Sequence, residues 1–286
     1  MIPYYLGCPS WSENAWRGMV YPDEARSTDF LGHYCQLFNT VEGNTTFYAR
    51  PSQATIERWA ETMPGSFRFC AKLPGDISHS GDLRLQFEAV DQFRQLLAPL
   101  GPRVTPYWLQ LPASFEPRRL PELASFIDHW GEGALAVEVR HPHFFGKGEE
   151  EKALNRLLLD RGVERICLDS RALFSCTSAD ASVVHAQDKK PRLPIRPAAF
   201  SQAPQVRFIG HPQLLANDPF IEPWLDKVAQ WIEAGLTPHV YLHTSDNRLA
   251  PLLARRFHEQ LMTRLPGLPA LPAIDIAPPA EQLGLL

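Results

Sequence analysis

Two short stretches carry ionisable side chains where a buried strand would be apolar. In Leu135–His141, "LAVEVRH", Leu135, Val137 and Val139 alternate with Glu138 and Arg140, and in "VEGNTTFY" Val41 is followed at once by Glu42, Gly43 and Asn44. Successive side chains of a strand point to opposite faces, so Glu138 and Arg140 share one face, as do Glu42 and Asn44. The same parity turns Lys72 of "FRFCAKLP", Gln110 of "YWLQLP" and Asp169 of "RICLDS" to the polar side, with Arg207 and His243 as later candidates. Carboxylates set among cations suit acid–base chemistry, because burial and neighbouring charge can push two carboxyl pKa values apart. The expected catalytic set is therefore Glu42, Glu138, Lys72 and Asp169, with Glu42 and Glu138 sharing acid and base duties. Arg140 and Lys72 would hold negative charge on a substrate, and Asn44 and Gln110 would orient it. His79 in "ISHSGDL", His141 after the fifth strand, Trp11 and Tyr48 complete the expected binding residues. The competing account is purely structural: Glu42, Glu138 and Asp169 would neutralise Lys72, Arg140 and Arg207 in a buried network, since buried charges must be paired.

Residues so far apart in the chain can meet only if a regular scaffold gathers them. Strand-type runs are expected at Tyr4–Cys8, Thr40–Asn44, Phe67–Leu73, Tyr107–Leu111, Leu135–His141, Arg165–Ser170, Gln205–Gly210 and His239–Thr244. Helical periodicity follows them at Asp29–Phe38, Gln53–Thr62, Leu83–Leu97, Pro121–Trp130, Glu149–Arg161, Pro219–Glu233 and Leu249–Thr263. Eight strands alternating with these seven helices, roughly eight units, imply parallel pairing with right-handed crossovers and predict a TIM (β/α)8 barrel. In that fold the polar strand ends gather at the C-terminal mouth, where barrel enzymes keep their chemistry. The barrel is expected to span residues 1–265 as one domain, with a long loop at 171–204 after the sixth strand, too rich in proline for much regular structure. Residues 266–286, "PGLPALPAIDIAPPAEQLGLL", form an expected Pro-rich C-terminal tail extending from the body.

The totals bound the function classes. A chain of 286 residues with 44% hydrophobic content can bury a full core, and a net charge of −4 offers no bulk basic field for nucleic acid. The N-terminal "MIPYYLGCPSW" has no charged leader before an apolar stretch, and no run is long enough to span a bilayer, so a cytoplasmic protein without membrane partners is expected. Five scattered cysteines, without a CxxC spacing, read as reduced thiols rather than a disulfide or zinc framework. The cofactor and the metal requirement stay unknown at this level.

With these residues in hand, the chain closely resembles the YecE-like family (domain of unknown function 72), YecE subgroup. The resemblance rests on "GCPSW" with "WRGMVYP", "FNTVEGNTTFYARPS", "FRFCAKLPGDISH", "YWLQLPASF", "VEVRHPHFF" with "KGEEEKALNR", and "LDSR". It implies a TIM barrel and supplies no mechanism; it matches the polar motif positions Glu42, Asn44, Lys72, His79, Gln110, Glu138, Arg140, His141 and Asp169. Cys8 stands where many relatives have threonine, which argues against a compulsory cysteine nucleophile. Three readings follow. The first is a hydrolase or lyase acting on a small anionic or hydroxyl-rich substrate. The second is a DNA-metabolism factor or metal-assisted phosphodiesterase, for which Gln282, Leu283, Leu285 and Leu286 resemble the short peptide that docks on a sliding clamp. The third is a non-catalytic binder of a small anion.

Overall fold

The computed structural model describes residues 2–274 of the chain. Nine parallel strands follow the chain: β1 (Tyr5–Cys8), β2 (Thr40–Gly43), β3 (Arg68–Lys72), β4 (Val104–Gln110), β5 (Leu135–Glu138), β6 (Glu164–Arg165), β7 (Cys167–Asp169), β8 (Gln205–Ile209) and β9 (His239–His243). Their order in the sheet is β6-β5-β4-β3-β2-β1-β9-β8-β7. Its two edges are consecutive pieces of one segment. β6 pairs with β5 and β7 pairs with β8, while between them only Ile166 intervenes, its N–H bonded to the Val137 carbonyl at 2.9 Å. The chain itself therefore joins the edges, and the sheet is an eight-position TIM barrel whose sixth strand is kinked.

Each strand returns through a helix because the intervening segments repeat apolar residues every three or four positions. The helix Gln53–Thr62 starts where the Ser52 hydroxyl accepts from the Thr55 N–H at 3.2 Å, and it buries Ile56 and Trp59 against the barrel. The helix Glu149–Asp160 opens with three glutamates in its first turn, where the positive end of the helix dipole favours them. It stops before Gly162, whose φ of 63° is open to glycine. Ala250–Leu261 lays Leu253, Ala254, Phe257 and Leu261 against the sheet.

Between the strands the interior is layered. Cys70, Trp108, Ala136, Ile166 and Tyr241 form a buried apolar layer inside the ring. The polar ends stand above it in register: Glu42 beside Cys70, Lys72 beside Trp108, Gln110 beside Glu138, and Arg207 beside Tyr241. On the opposite face of β2, Gly43 is required by close packing, since a Cβ would lie 2.5 Å from the Phe69 ring and 2.7 Å from the Cys70 carbonyl.

Two segments depart from expectation. Residues 171–204 are not irregular throughout, for they hold helices at Arg171–Ser175 and Ala181–Lys189. The second starts where the Asp180 carboxylate accepts from the Ser182 N–H at 2.8 Å, and it buries Val183 and Ala186. The prolines that suggested irregularity all come later, at Pro191, Pro194, Pro197 and Pro204. After Pro266 no helix or strand forms through Ile274, as the prolines require. This stretch nevertheless lies on the barrel, with Leu268 buried and the Pro269 carbonyl 2.9 Å from His258 Nε2. The clamp-like residues Gln282, Leu283, Leu285 and Leu286 fall outside the described residues. Among the described residues no helix is long and apolar enough to cross a membrane, and all five cysteines are free.

Candidate functional site

Barrel closure brings Arg207 of β8 between two carboxylates from the other side of the ring. Its Nε and Nη2 donate to Glu42 Oε2 and Oε1 at 3.1 and 2.7 Å, and its Nη1 reaches Glu138 Oε2 at 3.3 Å. Glu42 also accepts from Asn44 Nδ2 at 2.6 Å and meets His243 Nε2 at 2.8 Å. Glu138 accepts from Arg140 Nε at 2.7 Å, and Arg140 Nη2 donates to Gln110 Oε1 at 2.7 Å. Glu42, Glu138 and Arg207 are essentially sealed from solvent. The Arg207 guanidinium lies 5.1 Å from the centre of the Trp108 ring that floors the cluster.

These contacts decide the protonation states. Burial alone would raise the Glu42 pKa, but Arg207, His243 and Lys72 override it and hold the carboxyl well below the usual range. Glu138 is likewise opposed by burial, and Arg140 and Arg207 pull it down to about 2. Burial drives His243 down to about 4 despite Glu42 beside it, so a neutral ring donates from Nε2. Both carboxylates are thus moved the same way. The division of acid and base duties between Glu42 and Glu138 expected from the sequence is not what this geometry offers.

Above the cluster the mouth opens into a cavity of about 640 Å3. Asn44, Lys72, His79, Gln110, Arg140 and Tyr48 all line it, as expected from the sequence. Lys72 is buried with little compensation: its Nζ lies 3.5 Å from Asn44 Oδ1 and 4.5 Å from the centre of the Phe47 ring, and it makes no ion pair among the described residues. Burial, then the Arg207 charge, lowers its pKa to about 7 although Glu138 and Glu42 act the other way. His79, with Nδ1 at 2.7 Å from the Ser78 hydroxyl, is also lowered, first by burial and then by Arg140 and Lys72. With its pKa near 7 Lys72 can take up and release a proton near neutrality, and His79, held below its ordinary value, is a neutral imidazole lining the same cavity.

Three expected residues lie elsewhere. Leu168 is in register with the inward Arg207, so Asp169 points outward, and its inward placement from sequence parity is corrected. Its carboxylate takes Arg171 Nε and Nη2 at 3.0 and 2.8 Å and Trp224 Nε1 at 2.8 Å, tying the helix after β7 to the one after β8. Parity misled there because every residue of β7 is buried, leaving no polar contrast between its faces. His141 caps the turn Pro142–Phe145, its Nδ1 accepting from the His143 N–H at 3.3 Å, and does not line the cavity. Trp11 packs edge-on against Trp59 at 5.1 Å and lines a separate cleft of about 190 Å3; it also reaches a small pocket beside Glu42, Gly43 and Asn44 at the edge of the mouth, outside the main cavity. Replacing Asp169 with alanine should leave Trp224 Nε1 buried without an acceptor. A loss of about 1–3 kcal/mol in urea denaturation is expected, with ligand affinity at the mouth unchanged. A specific loss of affinity at unchanged stability would contradict this placement.

Within the 171–204 segment, expected from the sequence to be an irregular loop, the helix Ala181–Lys189 carries His185, Lys189 and the following Lys190 to the cavity wall. The Arg207 charge, with burial, lowers Lys190 to about 7. The available signal was the Asp180 cap followed by apolar spacing, which would have announced a helix ending at the lysine pair. Among the described residues no three His, Cys, Asp or Glu side chains converge as metal ligands would.

A family model described as "Protein of unknown function DUF72" matches residues 5–275. Two curated relatives carry the name "UPF0759 protein YecE". That of Escherichia coli strain K12 is 43% identical over 271 residues, covering 94% of this chain and 97% of the relative, and that of strain O157:H7 is 42% identical over the same length. Among solved structures, a DUF72 family protein from Enterococcus faecalis V583 superposes with a TM-score of 0.68 at 15% identity, covering 89% of this chain and 94% of that one. Another from Thermotoga maritima MSB8 gives 0.66 at 20% identity, covering 90% and 98%. These structures share the fold.

Proposed function

The chain belongs to the DUF72 family, whose description names no reaction, and we propose from the geometry of its own mouth that it is an acid–base enzyme acting on a small anionic substrate. One observation carries this reading: Lys72, buried and without a carboxylate partner, faces an open cavity with its pKa near 7. A lysine kept only to neutralise charge would sit against Glu42 or Glu138, yet Arg207 occupies both. In this reading Glu42 and Glu138 position Arg207 and set the positive field. Lys72 takes up or gives back the proton, with His79 in reserve on the same wall, and Arg140 and Lys190 hold the anionic group. Gln110 and Asn44 orient the side chains around them. Such a set suits proton abstraction beside a carbonyl, as in a lyase, or activation of water, as in a hydrolase.

A thermal-shift panel of metals, nucleotides, sugar phosphates and neutral oligosaccharides tests the substrate class. Anionic members should raise the melting temperature through binding to the folded state, and turnover should then be sought with those members. Stabilisation by neutral oligosaccharides alone would sink the anionic reading. Stabilisation by anions with no turnover across the panel would make the site a binder.

A further inference from the structure

Resting on that reading of the mouth as an anion site, we infer that its ligand group is a compact dianion of the phosphate-monoester class. The charges support this. Arg140, Arg207, Lys72 and Lys190 face the site from the loop just after β5, from β8, from β3 and from the segment following the helix Ala181–Lys189, against the two carboxylates Glu42 and Glu138. Four cations against two anions leave an excess of two positive charges once both lysines are protonated. The remaining titratable neighbours do not cancel it. His243 is neutral at the back, His79 and His185 line the walls, and Glu13 and Lys189 at the rim are of opposite sign.

The excess is also concentrated at one place. Lys72 and Arg207 approach the same Trp108 ring, at 5.9 and 5.1 Å from its centre, and the Arg207 charge is the leading influence on Lys190. A dicarboxylate spreads its two charges over separate carbons, whereas a phosphate monoester carries both on three oxygens of one phosphorus. Those oxygens match donors that no side chain takes up: neither lysine makes an ion pair among the described residues, and Lys72 has a single long hydrogen bond. Tyr48, 82% exposed at the rim, is placed to cover the organic part of such an ester.

A dianion entering this site restores the charged form of both lysines, so binding takes up protons. The test is isothermal titration of the full chain at pH 8, in two buffers of different ionisation enthalpy, with sodium sulfate, inorganic phosphate, acetate and succinate. Sulfate has no proton to exchange near neutrality, so uptake on binding it is uptake by the protein. The expected result is binding of sulfate and phosphate, with uptake on sulfate binding of about two protons at pH 8, falling to about one at pH 7, and less with phosphate, which gives up its own proton near neutrality. Acetate and succinate should bind at least about tenfold more weakly. Lys190→Met, verified as folded by its melting curve, should weaken sulfate binding about tenfold or more and take up about one proton fewer. Succinate binding as tightly as sulfate, no uptake with sulfate, or no heat with either dianion would each overturn the inference. Failure of the enzyme reading looks different: the dianions bind with proton uptake, and no phosphate ester turns over.

Discussion

Arg207→Met is expected to cost the fold about 3–5 kcal/mol or more at pH 7, the largest loss of any single substitution in the barrel interior. The guanidinium is bound to Glu42 at 2.7 and 3.1 Å and to Glu138 at 3.3 Å, with both carboxylates buried. Removing it leaves Glu42 with only Asn44 and a neutral His243, and Glu138 with Arg140 alone, in a low-dielectric interior, and breaking a buried pair from one side is far more damaging than replacing the whole set. The damage should therefore be repaired in part by adding Glu42→Gln and Glu138→Gln, which remove the stranded charges. The pH dependence has a definite sign. In the wild type both carboxyls have lowered pKa values, so the stability they contribute is present above their unfolded values near 4.5 and is lost as pH falls through the folded ones, about 2 for Glu138. In Arg207→Met burial is opposed less, by Arg140 at Glu138 and by His243 and Lys72 at Glu42, so both pKa values rise above their wild-type positions and the deficit should shrink as pH is lowered from 7 towards 5. Urea midpoints across that range measure it. A variant as stable as wild type at pH 7 would mean that Arg207 does not hold the cluster together.

Lys72→Met should do the opposite to stability while abolishing function. The folded protein releases the Lys72 proton near pH 7, whereas the unfolded chain keeps it to about 10.5. Between those values the unfolded state binds more protons, so wild-type stability rises with pH in this window. Below pH 7 the cost of holding the ammonium in the interior is present in full. Each tenfold change in proton affinity is worth about 1.4 kcal/mol, so the methionine variant should gain several kcal/mol at pH 7, an advantage that shrinks as pH approaches 10. A general acid–base group contributes about 100- to 10,000-fold to rate, and that is the expected fall in kcat/KM on the substrate found by the panel, together with loss of the limb near pH 7. Lys72→Arg keeps a cation but cannot titrate, and should bind anions without turning them over. Persistence of the neutral limb in Lys72→Met would remove Lys72 from the proton transfer. A variant less stable than wild type would show that the ammonium is satisfied after all. A gain in stability on losing function is expected where a site holds a group in an unfavourable state for its chemistry.

The two predictions draw on residues whose legibility in the sequence differed. Strand parity turned Lys72, Asn44, Gln110 and Arg140 towards the mouth, and all four side chains line the cavity. Strand ends with a polar residue every second position announce their inward face, because the other face is apolar. β7 had no such contrast, and Asp169 was assigned to the wrong side of the wall. Lys190 was hidden for another reason: it follows a helix whose cap at Asp180 was obscured by the prolines beyond it. His141 and Trp11 sit in loops, where no periodicity tells a cavity-lining side chain from a packing one.

What the sequence determined by itself is the alternation of eight strand segments with amphipathic helices, and from it the closed parallel barrel and the polar mouth. Periods of two and of about 3.6 residues are local properties that survive without knowledge of neighbours. What only the tertiary structure decided is which charge meets which. Arg207 is 165 residues from Glu42 and 69 from Glu138, and nothing local to either stretch shows that one guanidinium serves both. Ring closure makes that pairing. By consuming both carboxylates it leaves Lys72 without an ion pair among the described residues, which is why the proposed proton transfer rests on this lysine and not on the glutamate pair that the sequence suggested.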